Sequence, residues 1–225
     1  MQKNKELVII GAGETALLAY EYFTHDSEYT VVAFAVGREF LNEKILYDLP
    51  VISIEELGDN FPSSSVSLFV AVSSGRLNRN RAQVYLKLKD QGYHFASYVS
   101  SKAFVWHNVI IGENCFILEN NTLQPYVEVG NNVTLWSGNH IGHRSIIGDH
   151  CFISSHCVIS GFCEIESSCF LGVNCTLEDH VKVARDNFIG AGALIQKTTK
   201  EKSFYQEKQT ELSKINTYRL FRLKE

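Results

Sequence analysis

From residue 105 to residue 195 the chain repeats every six residues. Val105, Ile111, Ile117, Leu123, Val129, Leu135, Ile141, Ile147, Ile153, Ile159, Ile165, Leu171, Leu177, Val183, Ile189 and Ile195 are sixteen successive positions of that lattice, with no insertion. With these as the first position of each hexad, the fifth is a smaller residue throughout. It is Cys at 115, 151, 157, 163, 169 and 175, and Val, Ala, Asn or Ser elsewhere. Strands alternate with period two and helices with 3.6; neither alone produces this pattern. A large aliphatic residue and a small one at fixed offsets in a hexad is a parallel β-helix signature. Three hexads make one triangular coil, so residues three hexads apart stack as parallel strands. Roughly five coils at ~4.8 Å each give a prism on the order of 24 Å tall.

The lattice accounts for most of the residues that look like chemistry. The segment Gly138–Gly161, GNHIGHRSIIGDHCFISSHCVISG, holds four histidines and two cysteines, a mixture that would suit zinc. All six cysteines, however, fall on the inward fifth position, where Cys serves as a small buried hydrophobe. The fourth position reads N, N, N, Y, N, G, R, H, H, F, S, N, H, D, G from 108 to 192; eleven of these fifteen are Asn, Asp, His or Gly. Those residues tolerate the left-handed backbone that tight corners use, which accounts for His150, His156 and His180. His107 and His143 at the third position, and His140 at the sixth, remain unexplained by geometry.

Ahead of the repeat, a short apolar strand Leu7–Ile10 runs into Gly11-Ala-Gly13-Glu-Thr-Ala16 and then LLAYEYFTH, which reads as helix. This G-x-G-x-x-A turn between strand and helix turns backbone N–H groups toward a phosphate. Strands are expected at Tyr29–Val36, Pro50–Ser53 and Val66–Val72, with a helix near Asn78–Gly92, giving a doubly wound α/β unit. Val36-Gly37-Arg38 stands where a dinucleotide domain places its acidic ribose ligand. The unit is also short, so a nucleotide diphosphate is a better expected ligand than NAD; a purely structural role is the alternative.

Charge and hydropathy narrow the classes further. A net charge of −4 and a pI near 6.1 give no electrostatic case for nucleic acid or an anionic membrane. The longest apolar runs, such as Val31–Val36, are too short to span a bilayer, and Glu14 interrupts the only leader-like stretch. A cytoplasmic protein with reduced thiols is expected.

A truncated Rossmann-like unit running into a hexapeptide helix resembles the nucleotide-sugar acyltransferases of the bacillosamine N-acetyltransferase and sialic acid O-acetyltransferase type. The resemblance covers residues 5 to about 197 and rests on VIIGAG, LPVISIEEL, FVAVSSGRLNRNRAQ, GNHIGHRSIIGDHCFIS, FLGVN and FIGAGALI. It implies an α/β unit at residues 1–98 followed by an all-β left-handed parallel β-helix at 99–196; the tail, 197–225, reads as helix. It implies acetyl transfer from acetyl-CoA, as co-substrate, to the amino group of a nucleotide-linked amino sugar, for surface glycans such as lipopolysaccharide O-antigen. O-acetylation of a sialic-acid-like or other small hydroxyl acceptor is the alternative, and a non-catalytic scaffold a remote one.

The resemblance also implies a homotrimer, with His143 as general base and His140 and His156 as rivals. Acetyl-CoA is expected near Gly161, Val173, Asn174 and Ala191, and the nucleotide sugar near Gly11, Gly13, Glu14, Thr15 and Arg38. Gly161, one coil above His143, is expected to leave room for the thioester. Trp106 and Trp136, at second positions, are expected to be exposed at the contact between subunits. The hexads also resemble those of gamma-type carbonic anhydrases, but the position of their third zinc histidine is Gly148 here, so no metal is expected. The family's acidic residue after the base is Arg144, its Gly-His-Gly loop is Glu14-Thr15-Ala16, and its terminal G-N-P-A is replaced by SFYQEKQTELSK, which reads as helix.

Overall fold

The computed structural model describes residues 3–206, 208 and 211–224. Its first part is a six-stranded sheet in the order β3-β4-β2-β1-β5-β6: β1 Lys5–Ile10, β2 Tyr29–Val36, β3 Ile45–Leu46, β4 Leu49–Ser53, β5 Ser67–Val70 and β6 His94–Phe95. All pairings are parallel except the β3–β4 hairpin. Helices α1 (Glu14–His25), α2 (Leu57–Asn60) and α3 (Arg79–Asp90) connect the strands. The strand interiors are apolar on both faces, as a sheet covered on two sides requires. One face packs Ala16, Ala19 and Phe23 of α1, and the other packs Tyr85 and Leu88 of α3. The sequence reading omitted β3 and β6; both are two residues long, too short to show a period.

From Tyr98 onward the chain winds into three parallel sheets of seven, six and five strands. Register is constant: Phe116 pairs with Thr134, Thr122 with His140 and Glu128 with Ile146. The first-position aliphatics and the fifth-position residues form one buried core down the prism axis. The seven-stranded face begins with Tyr98–Val99 and closes with Phe204–Tyr205, the latter lying within the stretch expected to be helical. The described part of the tail also contains a short helix, α4 (Thr217–Phe221); Glu207, Gln209 and Thr210 lie outside the described residues.

Every fourth position from Asn114 to Gly192 has positive φ, including Tyr126, Arg144, Phe162 and Ser168. Thus the corner conformation is imposed by the coil and does not depend on the residue present. The fifth position does more than fill space. The second-position carbonyls lie outside the inter-coil ladder, and an unpaired buried carbonyl would cost about 1–3 kcal/mol. Inward side chains donate to them: Cys115 Sγ to Gly130 O at 3.0 Å, Cys157 Sγ to Gly172 O at 3.1 Å and Ser145 Oγ to Ser160 O at 2.9 Å. Asn121 Nδ2 does the same to Trp136 O at 2.8 Å. Cysteine therefore acts here as a small donor as well as a small hydrophobe.

The α/β unit is clamped to the prism along one corner and one face. Asn114 Oδ1 accepts from Val70 N at 2.7 Å, and Tyr22 donates to Glu119 Oε2 at 2.9 Å. Arg81, fully buried, inserts from α3 and donates to Thr134 Oγ1 and to the carbonyls of Asn132 and Cys151. Burial holds its pKa down at about 10. Trp136, expected on the surface, is half-buried in this seam against the α/β core; the neighbouring unit supplies the cover that the hexad pattern leaves off.

Candidate functional site

Two regions could carry chemistry. Call the corner between the six- and five-stranded faces the second corner. There Pro125, His143, Gly161 and Asp179 stack at the third position and Tyr126, Arg144, Phe162 and His180 at the fourth, coil upon coil. His143 is exposed, yet its imidazole is held on three sides. Gln124 Oε1, from the coil below, accepts from His143 N at 2.9 Å and lies 3.3 Å from Nδ1. Phe162 meets the ring edge-on at 4.9 Å. A Cβ on Gly161 would lie 2.7 Å from His143 Cε1 and 3.1 Å from both ring nitrogens. The face of Gly161 where a side chain would stand is therefore occupied by the imidazole itself.

Arg144 does not reach toward the imidazole as a pairing partner; its guanidinium lies over the Tyr126 ring at 4.4 Å, a cation–π contact. Phe162 in turn stacks on His180 at 4.8 Å. Asp179 Oδ1 accepts from Gly161 N at 2.8 Å. The rival histidines are elsewhere. His140 sits half-buried on the outer side of the six-stranded face, and His156 lies on the first corner, between the seven- and six-stranded faces. His156 is seated over Gly138, where φ is +80° and a Cβ would come within 2.5 Å of its Nδ1. His107, at the foot of the second corner, packs against Trp106 at 5.3 Å.

Of the residues expected near acetyl-CoA, only Gly161 shares the corner of His143. Val173, Asn174 and Ala191 stand on the first corner, across the width of the six-stranded face. The cysteines offer no nucleophile: all six are buried, and burial pushes the Cys115 thiol up to about 11. Among the described residues no three His, Cys, Asp or Glu side chains are grouped as a metal would need.

The second region is a cleft of about 940 Å³ at the carboxyl ends of β1, β2 and β5, where the strand order reverses, the place where such sheets bind ligands. Gly11 and Gly13 line it. At Gly11, φ is +127° and a Cβ would strike Ala71 O at 2.8 Å, so only glycine lets the loop pass the end of β5. Glu14, Thr15 and Arg38 are not in its wall; Arg38 points to Glu56 at 3.8 Å. Sequence reasoning missed Asn80, Gln83 and Lys87, which line the cleft from α3. It also missed the loop before α3, where Arg76, Leu77 and Asn78 are all left-handed. Buried Asn78 ties that loop to Cys169 O at 3.2 Å. The only sequence signal was the apolar spacing of α3, which leaves those polar residues on a common side.

Residues 126–161 match the family model for the bacterial transferase hexapeptide (six repeats). No curated protein matches the chain by sequence. Among solved structures, the chain is similar to a histidine-to-asparagine variant of perosamine N-acetyltransferase from Caulobacter crescentus in complex with CoA and GDP-perosamine. The TM-score is 0.78 at 20% identity, covering 88% of this chain and 92% of that one. The acetyltransferase domain of PglB from Neisseria gonorrhoeae gives 0.79 at 22% identity over 89% and 96%. WeeI from Acinetobacter baumannii gives 0.66 at 16% identity over 89% and 96%. The fold is that of a hexapeptide left-handed β-helix behind an α/β unit. The two regions are built from different parts of the chain: His143 stands on the β-helix corner between the six- and five-stranded faces, whereas the cleft is lined by the α/β unit.

Proposed function

We propose that the protein transfers the acetyl group of acetyl-CoA to the amino group of a nucleotide-linked amino sugar, as a cytoplasmic homotrimer serving surface-glycan (lipopolysaccharide O-antigen) synthesis. The observation that carries this reading is the seat of His143. Its ring is fixed by Gln124, Phe162 and Gly161 while remaining open to solvent, and corner geometry does not account for it. The shared fold with proteins solved with CoA and GDP-perosamine supports the choice of substrates.

In this mechanism the sugar amine attacks the thioester carbonyl directly. Nε2 of His143 takes the proton as the C–N bond forms, and the tetrahedral intermediate collapses to the amide, expelling the CoA thiolate. Imidazole is the side chain best matched to proton transfer near neutral pH. The nucleotide diphosphate binds in the α/β cleft, its phosphates at the Gly11–Gly13 loop and the start of α1, with Lys87 the cation in the wall. A neighbouring copy is needed because one chain presents His143 and Val173, Asn174 and Ala191 on different corners. Exposed Phe104, Trp106, Val158 and Leu194 on the six-stranded face and Ile110 and Ile146 on the five-stranded face supply apolar surface for that contact. The test is turnover with acetyl-CoA and a panel of UDP-, dTDP- and GDP-linked amino sugars beside their hydroxyl analogues. Acetylation of an amino sugar but not its hydroxyl analogue is expected; turnover of hydroxyl acceptors alone would refute the assignment.

A further inference from the structure

We infer that Gln124 is a positioning residue that fixes the tautomer of His143 without charging its surroundings; its catalytic consequence rests on the reading of His143 as general base. The argument is one of donors and acceptors. A backbone N–H can only donate, so the Gln124 atom 2.9 Å from His143 N is the amide oxygen. That same oxygen lies 3.3 Å from Nδ1 and can pair with that nitrogen only if Nδ1 carries the proton. Neutral His143 is therefore the Nδ1–H form, and Nε2 keeps its lone pair for the incoming amine. Without such a partner, imidazole in water favours the opposite form, with Nε2 protonated and useless as a base.

The surrounding groups are consistent with a neutral orienter. Gly161 and Phe162 fix the plane of the ring. Asp179, the carboxylate on this corner, is engaged by Gly161 N. Arg144 lies on Tyr126 and His180 on Phe162. Among the described residues no carboxylate is hydrogen-bonded to the His143 ring. A carboxylate in Gln124's place would favour the protonated imidazole, so the amide orients the base without adding a charge beside it.

The experiment is ¹⁵N NMR of histidine-labelled full-length protein with kinetics on the same samples. The wild-type protein at neutral pH should show His143 with Nδ1 protonated and Nε2 bare. In Gln124→Leu, Nε2–H should become the main form, and kcat should fall by about 10- to 100-fold, part of the roughly 10²–10⁴ of general-base assistance, with the KM for acetyl-CoA unchanged. Gln124→Glu keeps the acceptor, so it should restore the tautomer and most of kcat, and move the acid limb of the pH profile upward. A wild-type Nε2–H tautomer would overturn the assignment, as would Gln124→Leu leaving both tautomer and kcat unchanged. Should Gln124→Leu fail to fold, the wild-type spectrum and the Gln124→Glu pH profile still decide. A fully active His143→Asn protein would refute the base itself, whereas the tautomer is read without reference to activity.

Discussion

Gly161 and His143 are in such close contact that a single methyl group on the glycine would come within 2.7 Å of the imidazole. The neighbour one coil above thus forms the wall against which the histidine rests. Gly161→Ala should tilt the ring away from Gln124 and lower kcat, and Gly161→Leu should do so more severely. Steady-state kinetics would show a fall in kcat at least as large as any rise in the KM for acetyl-CoA. A pure KM effect would mean that Gly161 borders the co-substrate and leaves the base undisturbed.

The cysteine ladder should matter for stability alone. Cys157 Sγ lies 3.1 Å from Gly172 O and 3.4 Å from Cys175 Sγ. Cys157→Ala removes a donor and a small apolar group, for a loss of about 1–2 kcal/mol. Cys157→Ser keeps a donor for Gly172 O. Denaturant melts should show the alanine loss, while turnover per folded molecule stays at the wild-type value.

His150 makes the seam between the two units sensitive to acid. It pairs with Asn132 at 2.9 Å, and burial, reinforced by Arg81 and Arg79 against Asp149, holds its pKa below the ordinary 6.5. The unfolded chain then binds the proton more readily than the folded one. Stability contributed by neutral His150 is present above pH ~6.5 and is lost as pH falls below it. Asn stands at other corners with the same left-handed backbone, so His150→Asn should fold and flatten this part of the stability–pH curve. An unchanged curve would place the acid sensitivity elsewhere.

The hexad register shows why part of this was legible in the sequence and part was not. The lattice from Val105 to Ile195 dictated the coil, the left-handed fourth positions and the outward third-position His143, because each depends only on spacing along the chain. Gln124 was not legible as its partner. It precedes His143 by nineteen residues, and whether its amide turns up toward the next coil depends on side-chain rotamers. Trp136 was misplaced because its cover comes from another unit. The α3 side of the cleft was missed because Asn80, Gln83 and Lys87 read as an ordinary solvated face until β1 and β2 are placed opposite.

The proposed homotrimer would bring the His143 corner of one copy beside Val173, Asn174 and Ala191 of another. Sedimentation equilibrium should give three copies, and activity should fall on dilution below the dissociation constant of the assembly. Trp106→Glu, on the exposed six-stranded face, should weaken assembly and activity together. A fully active monomer would contradict the shared site.

The central claim is that His143 accepts the proton of the attacking amine. Its most direct test is kcat for His143→Asn, which keeps a small polar side chain but no imidazole, at saturating acetyl-CoA and amino sugar. Removing general-base assistance should lower kcat by about 10²–10⁴-fold with acetyl-CoA binding retained. Near wild-type turnover in that variant would contradict the account.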